Sequence, residues 1–199
     1  MYKKLVTFLV FSLYAPLAAF SADDPSRARL YIPVSTGVSF SDCTTCGGKA
    51  SGYAARYVFG FGLGLGVASS KLALTGWPTS STSANTIDFS VDTGPMMDIG
   101  YTFGSDFTFT LGLGVGSSPS SDKSFPGDAT YKIEGKSASN TFLGLGYNFG
   151  SIEILLALRT IHTTFDESFT MSLLGSEFTY LAETIYDWQT TDIGIGFTF

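Results

Sequence analysis

Large apolar residues alternate with glycine in four separate stretches of the chain, at 61–67, 111–116, 143–147 and 193–197. In a β-strand successive side chains point to opposite faces, so each stretch has one large apolar face and one nearly bare face. Glycine weakens a strand interior, and its repeated use indicates a steric demand on the bare face. A narrow closed barrel makes this demand, because its lumen is crowded while its outer face meets hydrocarbon.

A second repeat consists of an aromatic residue, any residue and Phe. It occurs as Tyr57-Val58-Phe59, Tyr101-Thr102-Phe103, Tyr147-Asn148-Phe149 and Phe197-Thr198-Phe199. Two aromatics on one face of a strand end are typical of the girdle at a membrane interface. The first three copies run into short Gly/Ser/Asp links, whereas long polar segments separate the copies. Four descending strands imply four ascending ones, so we predict an all-β fold, an eight-stranded antiparallel up-and-down transmembrane β-barrel.

The predicted ascending strands lie near 29–40, 61–75, 106–116 and 151–165, and the descending strands near 51–60, 89–103, 139–149 and 184–199. The outer loops are then 41–50, 76–88, 117–138 and 166–183. Apolar residues alternate again at 169–173 and 178–182, on either side of a candidate turn at 174–176. The last loop is therefore interpreted as a hairpin. It extends the final two strands as an exposed ribbon, or it joins the wall and gives ten strands.

The N-terminus has the three parts of a secretory signal peptide. Lys3 and Lys4 precede an apolar run at 5–20, and small residues follow. We predict cleavage after Ser21, which gives a signal peptide at 1–21 and a barrel at 22–199. An uncleaved anchor is disfavoured, because the run is shorter than the ~20 residues of a spanning helix and Pro16 interrupts it.

Composition and charge narrow the choice of partners. The chain is 44% hydrophobic and only 14% charged, whereas soluble domains average about 25% charged residues. The net charge is −6, and loss of Lys3 and Lys4 makes it more negative. An acidic chain repels phosphate backbones, so we expect no nucleic-acid partner.

The ending Gly196-Phe197-Thr198-Phe199 resembles the C-terminal signature of outer-membrane barrels, and nearly the whole mature chain resembles the OmpA/OmpX/opacity-type family of small barrels. This resemblance implies an integral protein of the bacterial outer membrane, surrounded by lipid and lipopolysaccharide. It also implies that Phe199 is read by the outer-membrane assembly machinery. We expect a monomer.

If the aromatic repeats face outward, the residues that alternate with them along each strand face the lumen. The charged residues with this parity are Arg56, Asp92, Asp98, Glu153, Arg159 and Asp192. An eight-stranded barrel is just wide enough for side chains to fill it. A buried unpaired charge is costly, so we interpret these residues as a polar network that plugs the lumen. A narrow path for small solutes remains the alternative.

Cys43 and Cys46 lie in the first predicted outer loop. Export to an oxidising compartment favours a disulfide between them, with free thiols as the alternative. A structural zinc site needs about four ligands, and neither a second Cys pair nor a nearby His accompanies these residues. We expect neither a metal nor a cofactor.

His162 is the single histidine, and Thr164 shares its strand face. The stretch is similar to the catalytic strand of outer-membrane lipid A deacylases, in which a His is followed two positions later by a nucleophilic Ser and then by a Glu. Only His162 matches that motif, since Thr164 replaces the serine and the downstream acids Glu177 and Glu183 have no distinguishing context. The interpretation is an interfacial histidine without a catalytic role.

The sequence therefore favours a non-enzymatic outer-membrane barrel that contributes to envelope structure, or to surface interaction and adhesion through its extracellular loops. Two alternatives stay open. One is a lipid A-modifying acyl hydrolase that uses His162, and the other is a narrow pore for small solutes.

Overall fold

The computed structural model describes residues 25–38, 47–78, 86–124, 130–173 and 176–199. The predicted signal peptide at 1–21 and the predicted disulfide between Cys43 and Cys46 lie outside these residues. The described chain is built of strands: β1 (Arg27–Val38), β2 (Gly47–Val58), β3 (Leu63–Pro78), β4 (Thr86–Asp92), β5 (Met96–Phe103), β6 (Phe107–Gly116), β7 (Ser120–Ser121), β8 (Thr130–Phe149), β9 (Ile152–Leu173) and β10 (Ser176–Thr198). Within the described ranges, no helix has the length and apolarity needed to cross a membrane.

The strands close into a ring of eight. The order β1-β2-β3-β5-β6-β8-β9-β10 returns to β1, which pairs antiparallel with both β2 and β10. Strand β4 lies above β5 at the same place in the wall, since both pair with β3. The predicted eight-stranded antiparallel barrel is confirmed, and closure leaves the wall without a free edge at the level of the ring.

The aromatic repeats mark one rim of the barrel. Tyr101 and Phe103 pack with ring centroids 4.7 Å apart, and Tyr147 and Phe149 with centroids 4.5 Å apart, on the outer face. Short connections at 59–62, 104–106 and 150–151 join the strands at this rim. We call it the turn rim, and the opposite end the loop rim. An exposed apolar belt rises from the turn rim, as the alternation with glycine predicts.

Three strands extend far beyond the belt at the loop rim. Tyr131 of β8 pairs with Phe169 of β9, which pairs with Tyr180 of β10. We call the part of these strands above the barrel, residues 130–135, 166–173 and 176–183, the ribbon. The predicted final hairpin is confirmed as an extension of β9 and β10 and not as two further wall strands. The prediction of a loop at 117–138 was wrong for its last part, because β8 begins at Thr130.

Asp92 lies on the outer face, and its predicted position in the lumen was wrong. It pairs with the exposed Lys71 of β3, whereas its neighbour Val91 is buried. The strand is interrupted between β4 and β5, and this break changes which parity points inward. At Gly94 the backbone turns with a φ of +63°, a conformation that glycine adopts readily. The Asp92 carboxylate accepts a hydrogen bond from the Gly94 N–H at 2.8 Å.

Candidate functional site

The lumen near the turn rim holds a buried ion pair between Arg29 of β1 and Glu153 of β9. Arg29 donates to Glu153 from Nε at 2.7 Å and from Nη2 at 2.6 Å, which is a bidentate arrangement. Threonines of β5 and β6 make further hydrogen bonds to both members of this ion pair. Thr108 donates to the same carboxylate at 2.6 Å, and Arg29 also donates to the hydroxyls of Thr102 and Thr110. We call these five residues the Arg29 cluster.

A second buried group, the Asp98 cluster, lies closer to the loop rim. The Asp98 carboxylate accepts hydrogen bonds from Arg56 at 3.0 Å and from Arg159 at 3.1 Å. Arg159 also donates to Asp192 at 3.3 Å and to the side-chain carbonyl of Asn140 at 2.9 Å. Two guanidinium groups and two carboxylates thus balance each other away from water, as buried charges require.

Of the six charged residues that the alternation predicts in the lumen, five belong to these two clusters and Asp92 does not. Arg29 and Asn140 belong to the clusters but were missed. The signal for Arg29 is visible in the sequence, since Ala28, Leu30 and Ile32 alternate with Arg27 and Arg29 at the start of β1. The same parity argument, applied to that strand, places Arg29 inside.

Phe142 fills the space between the charged groups. The Arg56 guanidinium lies 3.7 Å from the centroid of the Phe142 ring, and that of Arg159 lies 5.2 Å from it. Cation–π contacts of this kind gain strength when they are desolvated. The ring fits because a glycine faces it: a Cβ at Gly112 would lie 2.0 Å from Cζ of Phe142.

One small void lies beside the Asp98 cluster. Its volume is about 10 Å³, and Tyr53, Ser70, Arg159 and Asp192 are among its lining residues. This volume corresponds to about one water-sized sphere. Above it, an apolar layer fills the loop-rim half of the lumen: Ala50, Leu72, Leu74, Phe89, Val91, Ile161, Phe165, Tyr186 and Trp188. The lumen is thus occupied by side chains in successive polar and apolar layers.

Lys123 covers this apolar layer from the segment between β7 and β8. Its ammonium donates to the two carboxylate oxygens of Glu167 at 3.1 and 3.3 Å and to the Tyr186 hydroxyl at 3.1 Å. The rings of Phe89, Tyr131 and Tyr186 lie with their centroids 5.6, 5.8 and 5.8 Å from the same nitrogen. We call Phe89, Tyr131, Glu167 and Tyr186 the ammonium box.

Both tyrosines of the ammonium box have a raised phenol pKa. Burial is the largest cause for each, and the negative charge of Glu167 adds to it. Since burial disfavours the charged phenolate, the hydroxyls stay protonated at physiological pH. The Tyr186 hydroxyl can then donate to Glu167, from which it lies 3.3 Å away.

His162 lies on the outer face above the apolar belt, on β9. Its Nδ1 is 2.5 Å from Oδ1 of Asp187 on β10, its cross-strand neighbour. Thr164 is only 8% exposed, and among the described side chains the ring bonds to Asp187 and not to Thr164. Glu183 bonds to Lys136 at 2.6 Å. The acid beside His162 is thus Asp187, which sequence reasoning missed because strand register decides it.

Phe199 lies at the turn rim, where its N–H donates to the Ser26 carbonyl at 3.0 Å and its ring lies 6.0 Å from that of Tyr57. No cluster of three or more His, Cys, Asp or Glu side chains that could hold a metal ion is found in the part of the chain that the structure describes.

Comparisons with solved structures show which fold this is. The outer membrane protein OprG from Pseudomonas aeruginosa superposes with a TM-score of 0.53 at 13% identity, over 88% of this chain and 96% of that one. The outer membrane protein AlkL gives 0.49 at 12% identity over 88% and 90%, and the outer membrane protein W of E. coli gives 0.47 at 13% identity over 88% and 98%. No protein-family model and no curated protein matches the sequence. The similarity to OprG identifies the fold as that of a small outer-membrane β-barrel.

Proposed function

We propose that this chain, which has the fold of small outer-membrane barrels, is an integral protein of the bacterial outer membrane with a closed lumen. It contributes to envelope structure, or to surface interaction through its loop rim, and it is not an enzyme. The outer leaflet of such a membrane contains lipopolysaccharide, which then surrounds the apolar belt. Phe199, which lies at the turn rim, is the proposed signal for the assembly machinery.

The filling of the lumen is the observation that supports this function. The Arg29 cluster, the Asp98 cluster and the apolar layer occupy it in succession. A path for solutes would have to separate buried, hydrogen-bonded charges, and breaking a buried ion pair costs about 3–5 kcal/mol. We therefore favour a sealed barrel over a narrow pore.

The ribbon supports a role at the cell surface. Tyr180 and Leu181 are 70% and 74% exposed, and Phe178 on the same strand is also exposed. Large exposed apolar side chains of this kind mark interaction sites in folded proteins. Since the ribbon continues the barrel strands, it presents these side chains on a rigid support beyond the outer leaflet.

The arrangement around His162 gives the hydrolase alternative little support. A nucleophile must lie within hydrogen-bond reach of its base. Thr164 is nearly covered by its surroundings, and the imidazole makes its hydrogen bond to Asp187. We interpret the pair as a polar contact at the membrane boundary.

Planar-bilayer recordings of the refolded protein test the closed lumen. We expect no discrete openings in the wild type. Steady single-channel openings in a sample that shifts on a gel between unheated and boiled states would contradict the proposal. The shift serves as the control that the barrel has folded.

A shortened ribbon tests which of the two roles the protein has. Residues 168–181 are replaced by a two-residue turn, which leaves the wall strands intact. If the protein acts at the surface, cells that produce this variant should adhere less than cells with the wild type. If it acts on envelope structure, detergent resistance should depend on the presence of the barrel and not on the ribbon. Deletion of the whole protein without an effect on either property would refute both roles.

A further inference from the structure

The ammonium box is built by residues of the long strands at the loop rim, and a different segment fills it. Phe89, Tyr131, Glu167 and Tyr186 come from β4, β8, β9 and β10, respectively. They are held in place by the sheet and by ring packing, since the Phe89 and Tyr186 centroids lie 5.9 Å apart. Lys123 reaches the box from the connection after β7. Box and occupant are therefore structurally separate parts of the molecule.

The chemistry of the box is that of a site for an organic cation. Three aromatic rings surround the Lys123 ammonium at 5.6 to 5.8 Å, within the ~6 Å over which a ring face attracts a cation. Glu167 supplies the opposite charge at 3.1 Å, and the side chains of Glu167 and Lys123 are 12% and 7% exposed. A carboxylate that is this well shielded from water requires a cation beside it.

Residues 120–124, which carry Lys123, lie beside β4. The two-residue strand β7 pairs with Val91 and Asp92, and the Asp122 carboxylate accepts hydrogen bonds from the N–H and the hydroxyl of Ser90. The Ser90–Asp122 contacts are exposed to solvent. Short, solvent-exposed elements of this kind open at lower free energy than the sheet beneath them.

We propose that the ammonium box is a binding site for alkylammonium cations at the extracellular mouth, and that Lys123 is its built-in competitor. The ligand class follows from the occupant, because the lysine side chain is itself a butylammonium group on a tether. An external cation binds when residues 120–124 move away from β4 and withdraw Lys123, and its apparent affinity is reduced by the fraction of time for which Lys123 fills the box. This site goes beyond the proposed function, since it requires neither a partner at the cell surface nor a sealed lumen.

Replacement of Lys123 by alanine tests the proposal, with n-butylammonium chloride as the probe. Binding is measured by isothermal titration calorimetry on the full-length barrel in detergent micelles, with ionic strength matched by sodium chloride. We expect Lys123→Ala to bind n-butylammonium at least ten-fold more tightly than the wild type does. n-Butanol, which has the same chain without the charge, should not bind measurably to either protein.

A second substitution locates the binding. In the Lys123→Ala background, Glu167→Gln should abolish the gain, because it removes the charge of the box and keeps the side-chain volume. Glu183→Gln removes an exposed acid on the same ribbon and should leave the gain unchanged. If Lys123→Ala fails to give the folded band on an unheated gel, Lys123→Gln, which keeps most of the side-chain stem, takes its place. Absence of binding to the folded Lys123 variant, or equal binding with and without Glu167, would overturn the proposal. Failure of the closed-lumen function would instead be seen as channel openings in the wild type.

Discussion

Glu153→Ala is the substitution whose effect separates a dry lumen from a wet one. Glu153 is fully buried, and its carboxylate accepts two hydrogen bonds from Arg29 and one from Thr108, all between 2.6 and 2.7 Å. Removal of the acid leaves the Arg29 guanidinium in the lumen without a counter-charge. Breaking a buried pair in this way costs about 3–5 kcal/mol. This is a large fraction of the stability of about 5–15 kcal/mol of a typical domain.

The double replacement Arg29→Met with Glu153→Leu should recover most of that loss. Both charges then disappear together, and exchange of a buried ion pair for apolar side chains is often neutral or stabilising. The free energy of unfolding is measured by urea titration of the refolded barrel in lipid vesicles, followed by tryptophan fluorescence.

Glu183→Ala is the matched control for this measurement. Glu183 bonds to Lys136 at 2.6 Å, the same distance as between Arg29 and Glu153, but the side chains of Glu183 and Lys136 are both exposed. Exposed pairs contribute little because water already solvates each charge. We therefore expect a much smaller change for Glu183→Ala. A loss below about 1 kcal/mol for Glu153→Ala, the range of exposed pairs, would show that water reaches the lumen and would refute the sealed barrel.

Three further predictions address the glycines, the tyrosines and the outer face. Gly112→Ala should lower the stability by about 1–3 kcal/mol through overpacking, whereas Gly144→Ala, whose Cβ would meet no atom closer than 3.5 Å, should be tolerated in the same urea titration. The phenols of Tyr131 and Tyr186 should ionise only above the pH at which free tyrosine does, as followed by absorbance at 295 nm. Their raised pKa values stabilise the loop rim fully below about pH 10, and this contribution is lost as the pH rises further. His162→Ala should leave the mass spectrum of lipid A from producing cells unchanged. An acyl chain that is lost in cells with the wild type and retained in cells with His162→Ala would establish the hydrolase alternative.

The period-two pattern was sufficient to predict the wall and most of the interior. Arg56, Glu153 and Asp192 point inward because each lies on a strand whose opposite parity is large and apolar. The argument failed at Asp92, where the wall is interrupted. Gly94 and Pro95 are a turn signal inside the predicted strand at 89–103. The alternation of inward and outward side chains therefore cannot be extended from the later part of this strand through the turn to Asp92.

Contacts between residues that are distant in the chain could not be predicted from the sequence. Lys123 meets Tyr186 across 63 positions, and His162 meets Asp187 across 25. Each contact depends on strand register, and a shift by one residue sends every side chain of a strand to the other face. The bulge between Gly135 and Ser137 makes such a shift within β8. Local patterns therefore predict which face a residue occupies, but not which residue lies opposite.

The glycines and the buried charges of the lumen depend on each other. A Cβ at Gly146 would lie 2.5 Å from one carboxylate oxygen of Glu153, and a Cβ at Gly196 would lie 2.7 Å from the other. At Gly114 a Cβ would lie 2.1 Å from the carboxylate of Asp98. The bare strand faces that the sequence displays are thus the space in which the ion pairs lie. In the structure this space is already occupied by charged side chains, as the proposed sealed lumen requires. The side chains that we propose for recognition therefore lie outside the filled lumen, on the exposed face of the ribbon.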